Sequence, residues 1–326
     1  MSVSQNAAPL FSYHMPNFSF PGVPAEQLFD HVVALAQAAE SAGFDLVTVM
    51  DHFYQIGPVG PETEPMLEAY STLAALAART GRVRLGTQVT GVTYRNPALL
   101  AKTVTTLDII SKGRAILGIG AAWNEAEHLG YGFDFPPVPE RMNRLDEALT
   151  IIRLMFREER PSFAGRFYRI DRALNQPRPI QPGGPKILVG GGGEKRTLRL
   201  AARHADMTHW FSSSVEAFKQ KARILEQHCQ AEGRDPSTIV RLIGAPLTLA
   251  RDDAEARDLA ARIPAERLAM APPVRPEQAS EILHDYMHAG VQGFTFNNPM
   301  LATPELLAAA GEVKRTLGTA AVWAAG

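Results

Sequence analysis

Four consecutive glycines give the sharpest chemical signal in the sequence: Gly190, Gly191, Gly192 and Gly193. They lie between a predicted strand and a predicted helix, so their backbone amides could face an anion at the positive end of that helix. The segment is not a Walker A loop, because no glycine directly precedes Lys195 and no Lys-Ser/Thr pair follows. A flexible turn is the alternative interpretation. The run therefore predicts a phosphate-binding loop.

A second candidate is His52, which follows Asp51 directly at the end of a predicted strand. In an α/β barrel the catalytic groups lie at this end of the strands, although a core histidine held by the backbone is the competing interpretation. Other strand ends also carry polar or aromatic residues, which suits a flat aromatic ligand with a few hydrogen-bonding edges. These residues are His14, Thr90, Gly91, Val92, Ala121, Trp123, Asn124, His209, Trp210, Asn297 and Asn298.

Several other chemistries find no support. Cys229 is the single cysteine, which excludes an internal disulfide and a cysteine-based metal cluster. His284 and His288 have helical spacing but lack the glutamate of a zinc-protease motif, so they predict a solvated helix face and no metal site. Gly118-Ile-Gly120 is followed by Trp123 where a dinucleotide fingerprint needs glycine. No nucleophile elbow or Ser-His-Asp motif is found.

The elements that must position these residues show one repeated pattern. An amphipathic segment ends, a glycine follows, and a short β-branched or aromatic run begins, which indicates alternating helices and buried parallel strands. The glycines are Gly43, Gly81, Gly113 and Gly290. Strands are predicted at 10–15, 45–51, 82–90, 114–120, 186–190, 205–211, 238–249 and 291–297. Helices are predicted at 25–42, 65–79, 96–111, 139–156, 194–204, 215–232, 276–289 and 304–317.

This count predicts a (β/α)8 TIM barrel, with a doubly wound sheet as the alternative. Long segments after the fourth and seventh strands predict two insertions, the first with a hairpin turn at Ala164-Gly165. We expect a single domain over 1–326, in which 319–326 is a flexible or subunit-contact tail.

Composition narrows the class of protein further. The chain has 326 residues, 45% of them hydrophobic, and a formal net charge of −1. A near-neutral charge gives no general attraction to nucleic acid, and no apolar run is long enough for a membrane span. The amino-terminal segment does not resemble a signal peptide. These features predict a cytoplasmic protein acting on a small molecule.

Together, several segments resemble the luciferase-like monooxygenase superfamily, and within it the class that depends on the deazaflavin coenzyme F420. They are Phe11–Pro16, Ala42–Phe53, Gly86–Pro97, Gly118–Glu125, Tyr131–Pro136 with Glu140-Arg141, and Gly190–Asp206. The resemblance implies a barrel that holds the coenzyme ring at the carboxyl ends of its strands, and often a homodimer.

The resemblance also implies roles for particular residues. His52 and His14 are assigned to catalysis, and His52 would lie near the redox face of the ring. A non-prolyl cis peptide behind the ring maps onto Gly91-Val92. The implied cofactor-binding residues are Asp51, His52, Thr90, Gly91, Val92, Ala121, Asn124, Gly190, Gly191, Gly192 and Gly193.

One position departs from the family pattern. Relatives that oxidise sugar phosphates carry an acidic glutamate directly after the Gly-x-Gly of the fourth strand, where this sequence has Ala121. Oxidation of a sugar phosphate by that route is therefore doubtful. Proton delivery would have to come from another group, for which His14, Glu127 and His128 are the candidates.

The predicted function is hydride transfer between F420 and an unidentified organic substrate. One alternative is an FMN-dependent monooxygenase that uses reduced flavin and oxygen, and another is a non-catalytic protein that binds F420 or flavin. F420 carries an acidic tail, so basic residues expected near the mouth favour it over FMN. These are Arg95, Lys195 and Arg196.

Overall fold

The computed structural model describes residues 8–263, 265–297 and 302–318. In chain order the strands are β1 (Leu10–Met15), β2 (Leu46–Val49), β3 (Arg84–Thr87), β4 (Thr90–Gly91), β5 (Ala115–Gly120), β6 (Phe163–Ala164), β7 (Arg169–Ile170), β8 (Lys186–Gly190), β9 (Met207–Trp210), β10 (Val240–Gly244), β11 (Thr248–Leu249), β12 (Pro273–Val274) and β13 (Gly293–Phe296).

The helices are α1 (Leu28–Ser41), α2 (Ala69–Arg79), α3 (Pro97–Ile110), α4 (Glu125–Tyr131), α5 (Val138–Arg157), α6 (Thr197–His204), α7 (Val215–Ala231), α8 (Asp253–Arg262), α9 (Ala265–Met270), α10 (Pro276–His288) and α11 (Pro304–Leu317). Two of the predicted helices begin with a side-chain cap. The Asn96 side chain accepts from the Ala98 amide at 2.9 Å, and Thr303 accepts from the Leu306 amide at 3.3 Å.

Parallel pairing closes the main sheet into a ring. The order β3-β2-β1-β13-β10-β9-β8-β5 is completed by pairing of β3 with β5, which brings Leu85 opposite Ala115. An open doubly wound sheet would leave two unpaired edges, so that alternative is wrong and the predicted (β/α)8 barrel is confirmed.

The interior of the barrel is filled by one apolar cluster contributed by six strands: Leu10, Leu46, Ile116, Leu188, Met207 and Leu242. Side chains alternate between the two faces of a strand, so residues at even spacing from these positions also point to the barrel axis. His14 lies four residues beyond Leu10, and His209 lies two beyond Met207. The alternation therefore directs both histidines to the carboxyl end of the interior, above the apolar cluster.

Two predicted strands are divided in the structure. The predicted strand 82–90 ends at Thr87 as β3, and β4 pairs separately with β5. The non-prolyl cis peptide lies at this break, between Gln88 and Val89, so its predicted place at Gly91-Val92 is wrong. The predicted strand 238–249 likewise ends at Gly244, and Thr248–Leu249 pairs with β12 in a small separate sheet.

Both long connections contain additional elements. The connection from β5 to β8 holds α4, α5 and the antiparallel hairpin β6–β7. Its turn covers 165–168, with the Gly165 amide donating to the Tyr168 carbonyl at 2.9 Å, so Ala164 belongs to the strand and not to the turn as predicted. The connection from β10 to β13 adds β11, α8, α9 and β12, of which the two helices were not predicted.

Three further observations complete the fold. Within 8–263, 265–297 and 302–318, no helix has both the length and the apolar composition that crossing a bilayer needs. The predicted tail at 319–326 lies outside the described residues. Asn298, a predicted strand-end residue, also lies outside them.

Candidate functional site

A cavity of about 570 Å³ opens at the carboxyl ends of the barrel strands. Eight of the predicted site residues line it: His14, Asp51, His52, Thr90, Gly91, Ala121, Gly190 and Gly191. Four others, Val92, Asn124, Gly192 and Gly193, are not among its lining residues. The cavity is therefore formed from the ends of strands that lie far apart in the sequence, as in other TIM barrels.

His52 is held in place by a carboxylate. Its Nδ1 donates to Glu127 Oε1 at 2.7 Å, and Glu127 Oε2 accepts from the Phe53 amide at 2.8 Å. Burial alone would raise the pKa of Glu127, but hydrogen bonds from His52, Tyr94 and Phe53 and the charge of His52 lower it overall. An ionised carboxylate only accepts, so it fixes the tautomer that has its proton on Nδ1. Nε2 is left for a ligand in the cavity.

Two proton-donor candidates from the sequence are used within the protein. Glu127 is fully buried and acts through His52. His128 is also fully buried. Both of its ring nitrogens are engaged: Nδ1 donates to the Asn124 carbonyl at 2.6 Å, and Nε2 contacts Thr93 Oγ1 at 2.6 Å. Neither residue is among those that line the cavity. The structure therefore removes His128 as a direct donor and makes Glu127 the partner of His52.

Asp51 is bound by Arg95 and does not project a free charge. The guanidinium contacts both carboxylate oxygens, at 2.5 and 3.1 Å, and also reaches Glu68 Oε1 at 2.7 Å. Burial raises the pKa of Asp51, and Arg95 opposes that rise. Arg95 was expected to be available for an acidic cofactor tail. That expectation is wrong, because the guanidinium is already bonded to the carboxylates of Asp51 and Glu68.

Two histidines at the cavity floor are neutral. Burial, with smaller effects from His209 and His52, lowers the pKa of His14 to about 3, and its Nδ1 lies 3.0 Å from Thr48 Oγ1. Burial likewise lowers the pKa of His209 to about 4. At neutral pH both rings can donate or accept a hydrogen bond, but neither carries the extra proton of an imidazolium.

The glycine loop has little space for side chains. A Cβ at Gly190 would lie 2.8 Å from Val89 Cγ1, and one at Gly193 would lie 2.8 Å from Thr197 Oγ1. Gly191 adopts a φ of +115°, which other residues rarely adopt. Among the described residues, no acceptor is hydrogen-bonded to the amides of Gly192 or Gly193. The loop thus presents backbone at close range, as an anion cradle requires.

Sequence reasoning missed a lysine beside this loop. Lys221 on α7 donates from Nζ to the Gly192 carbonyl at 2.8 Å and lies 3.5 Å from Glu194 Oε1. The helical pattern of α7 gives no sign of this, because the contact joins residues 29 positions apart. Arg196, which sequence analysis placed near the mouth, donates instead to the Pro139 carbonyl at 2.9 Å.

Two buried polar atoms of the cavity lining have no partner in the described part of the chain. They are Gln88 Oε1 and His209 Nε2. An unpaired buried polar atom costs free energy, so such atoms mark places where a ligand supplies the missing hydrogen bond. His209 was a strand-end residue in the sequence, whereas Gln88 was not singled out.

Exposed aromatic rings stand at the mouth of the cavity. Trp123 is 58% exposed and its ring lies 5.5 Å from that of His52. Phe211 is 71% exposed and its ring lies 5.4 Å from that of His209. Large apolar groups exposed next to a cavity are typical of a binding surface. Among the residues that the structure describes, no group of three His, Cys, Asp or Glu side chains could hold a metal ion.

Residues 10–319 match the family model described as luciferase-like monooxygenase. This match covers nearly all of the chain, which therefore belongs to the luciferase-like monooxygenase family.

Three similar sequences carry names that refer to F420. The F420-dependent glucose-6-phosphate dehydrogenase of Intrasporangium calvum is 40% identical over 183 residues, covering 55% of this chain but only 52% of that protein. The enzyme of the same name from Nocardia farcinica is 31% identical over 302 residues, 82% of this chain and 88% of that protein. The F420-dependent hydroxymycolic acid dehydrogenase of Mycobacterium tuberculosis is 33% identical over 232 residues, 70% and 61% of the two chains.

Solved structures share the fold at lower identity. An F420-dependent secondary alcohol dehydrogenase in complex with an F420-acetone adduct has a TM-score of 0.78 at 20% identity, covering 94% of this chain and 98% of that one. The EDTA monooxygenase from Chelativorans sp. BNC1 has a TM-score of 0.82 at 16% identity, covering 96% and 94%. At these identities the likeness establishes the barrel and its insertions as a common fold.

Proposed function

We propose that this protein is an F420-dependent oxidoreductase that transfers a hydride between the coenzyme and a small organic substrate. The observation that carries the proposal is one cavity lined both by a carboxylate-oriented histidine, His52, and by Gly190 and Gly191, the first two residues of the glycine loop. The F420-dependent names of the similar sequences support the same cofactor.

The residues fit a ligand with a polar ring and a phosphate. Gln88 Oε1 and His209 Nε2 have no partner among the residues that the structure describes, so ring atoms of a bound cofactor would complete their hydrogen bonds. The Gly192 and Gly193 amides, with Lys221 close behind them, would hold the phosphate. Val92, Asn124, Gly192 and Gly193 remain predicted cofactor contacts although they lie outside the lining.

When bound, the deazaflavin ring supplies the hydride chemistry. The protein's part is to place the substrate and to move one proton. Glu127 holds the Nδ1 proton of His52, so the Nε2 atom can take a proton from a substrate hydroxyl or return it to a carbonyl oxygen. The neutral His14 and His209 would orient polar atoms by hydrogen bonds, which revises the catalytic role assigned to His14 to a positioning one.

Parallel titrations of the ligand-free protein with F420 and FMN test the cofactor directly. Equilibrium dialysis should give an F420 dissociation constant at least tenfold lower than that of FMN. Tight binding of FMN with none of F420 would overturn the proposal and favour the second candidate, an FMN-dependent monooxygenase, which the glycine cradle serves equally well because FMN also carries a phosphate.

A third candidate is a protein that binds F420 without catalysis. Oxidation of reduced F420, or reduction of oxidised F420, that depends on an added substrate distinguishes an enzyme from this candidate. We also propose that the enzyme is a cytoplasmic homodimer, to be tested by light scattering of the purified chain and by fractionation of cells that produce it.

A further inference from the structure

The charge of the cavity lining indicates which class of substrate the site can bind. This inference rests on the proposed function. In the described part of the chain, no lysine or arginine lines the cavity. A phosphorylated substrate carries about two negative charges at neutral pH, and enclosing them without a cation is costly. The described lining therefore offers no lysine or arginine that would pair with a substrate phosphate.

Arg95, which contacts a residue of the lining, is already neutralised. Arg95 spans Asp51, which lines the cavity, and Glu68, so one positive charge meets two carboxylates. A substrate anion would have to compete with a bidentate contact to the buried Asp51. The carboxylates of Asp51 and Glu68 therefore disfavour the binding of a substrate anion at this wall of the cavity.

The histidines do not supply the missing charge. His14 and His209 line the floor of the cavity, and burial holds both neutral near pH 7 because their pKa values are lowered to about 3 and about 4. The charge that His52 would carry if protonated is balanced by Glu127 at 2.7 Å. None of the three rings therefore provides an uncompensated positive charge.

The cations of the glycine loop belong to the cofactor end. Lys221 is bound to the Gly192 carbonyl, and Arg196 is bound to the Pro139 carbonyl. Neither residue lines the cavity. The cradle is thus the one phosphate site that the described residues offer, and under the proposed function the cofactor phosphate occupies it.

Much of the remaining wall of the cavity is apolar. Ile56 and Val59 come from the loop after β2, and the methyl groups of Ala121 and Ala122 come from the end of β5. Trp123 adds an exposed indole next to His52. Apolar side chains around a few polar groups are typical of sites that take uncharged organic ligands.

We propose that the substrate is an uncharged, largely apolar alcohol or carbonyl compound, and not a sugar phosphate. In the oxidising direction the carbinol carbon loses its hydrogen as hydride to the coenzyme, the hydroxyl proton passes to His52 Nε2, and a C=O bond forms. In the reducing direction the same hydride and proton are returned. The apolar body of the substrate lies against Trp123 and Ile56.

Calorimetric titration of the F420-loaded protein tests the substrate class without depending on turnover. The probes are cyclic secondary alcohols of increasing size, glucose, and glucose 6-phosphate. At least one cyclic alcohol should bind about tenfold more tightly than glucose 6-phosphate. Equal or tighter binding of glucose 6-phosphate overturns the inference, and so does failure of every cyclic alcohol to bind. Because F420 binding is measured first, either result leaves the cofactor proposal standing.

Two variants sharpen this test. Trp123→Ala removes the indole and should raise KM for the preferred cyclic alcohol about tenfold with little change in kcat, because the lost contact is made equally in the bound and reacting states. Leu129→Ala is the matched control, since Leu129 is 69% exposed but lies outside the cavity lining. An equal KM effect in both variants would contradict an apolar contact at Trp123.

The reverse variant supplies the missing charge. Ile56→Arg places a cation in the lining, and it should weaken binding of the cyclic alcohol and strengthen binding of glucose 6-phosphate about tenfold. If that variant does not fold, the Trp123 and Leu129 pair still decides the question. If it folds and glucose 6-phosphate binding is unchanged, the charge argument is wrong.

Discussion

The two ends of the barrel treat their polar groups in opposite ways. At the amino end, Arg114 directly precedes β5 and donates to the carbonyls of Ala77, Thr80, Val83 and Ser111. At the same end Asp206 precedes β9 and accepts from the Ile187 amide at 2.8 Å and from Arg153 at 2.6 Å. These charged side chains bond to backbone groups at helix ends and strand starts, so their hydrogen bonds stabilise the fold.

At the carboxyl end, buried polar atoms are left with unused capacity. Gln88 Oε1 and His209 Nε2 have no hydrogen-bond partner in the described ranges. Burial lowers the pKa of His14 to about 3. Such groups reduce stability in the free protein and become useful when a ligand arrives. The difference teaches that burial alone does not mark a functional residue, whereas burial without a partner at a cavity does.

The largest expected effect is on catalysis at the carboxyl end. His52→Ala should lower turnover about 10²–10⁴-fold, because the proton-transfer group is lost, while the F420 dissociation constant changes only severalfold. Steady-state rates with the preferred alcohol and a separate cofactor titration measure the two quantities. Unchanged turnover would remove His52 from the proposed chemistry.

The amino end should respond with stability and not with binding. Arg114→Met removes the donors that satisfy four carbonyls and should lower the free energy of unfolding by about 2–4 kcal/mol. Urea unfolding measures the loss, and F420 affinity of the folded variant should be unchanged. Arg251→Met is the control, since its pair with Glu255 is exposed and screened by solvent and therefore contributes little to stability. Similar losses in both variants would contradict a special role for Arg114.

Acid should destabilise the protein through the carboxyl end. The folded chain holds His209 neutral down to a pKa of about 4, whereas the unfolded chain protonates it near pH 6.5. The contribution of His209 to the free energy of unfolding is therefore greatest above about pH 6.5. It falls by about 1.4 kcal/mol per pH unit as the pH drops towards 4. Urea unfolding of His209→Gln across that range should show a shallower slope, and His284→Gln, on the exposed face of α10, should keep the original one.

The glycine cradle should show a smaller, local effect. Gly191→Ala places a Cβ on a residue with a φ of +115° and 3.3 Å from Thr197 Cγ2. F420 affinity should fall about tenfold, which dialysis measures. Gly183→Ala is the control, because its φ is +74° and no atom lies within 4 Å of the new Cβ. It should cost about 1 kcal/mol of stability through strain and leave cofactor affinity alone. Equal affinity losses in the two variants would argue against the cradle.

The orienting carboxylate should give the smallest change. Glu127→Gln keeps the shape but removes the charge that fixes the His52 tautomer, and turnover should fall about tenfold. Glu127→Asp should recover part of the rate. A fall in kcat that Glu127→Asp does not partly restore would indicate a purely structural role.

The fold could be read from local signals, and much of the site could not. Glycine before a short apolar run marked four of the eight barrel strands, because helix ends and buried parallel strands have local sequence requirements. His52 and Gly190–Gly193 were found because they follow predicted strands. Glu127 was proposed only as a proton donor, since its contact with His52 joins residues 75 positions apart. Lys221 was missed for the same reason: only the closed barrel brings α7 against the glycine loop.

Strand alternation sets how this active site can change. Along β1, Leu10, Ser12 and His14 point to the barrel axis, while Phe11 and Tyr13 pack outward in the helix-facing core. Substitution at the inward positions can alter the chemistry and leave the outer packing intact. Deleting or inserting one residue within β1 would instead exchange the two sets, burying His14 among apolar helices and directing Tyr13 into the cavity. New activities in this barrel are therefore accessible by point substitution at alternate residues, and length changes are confined to the loops beyond the strands.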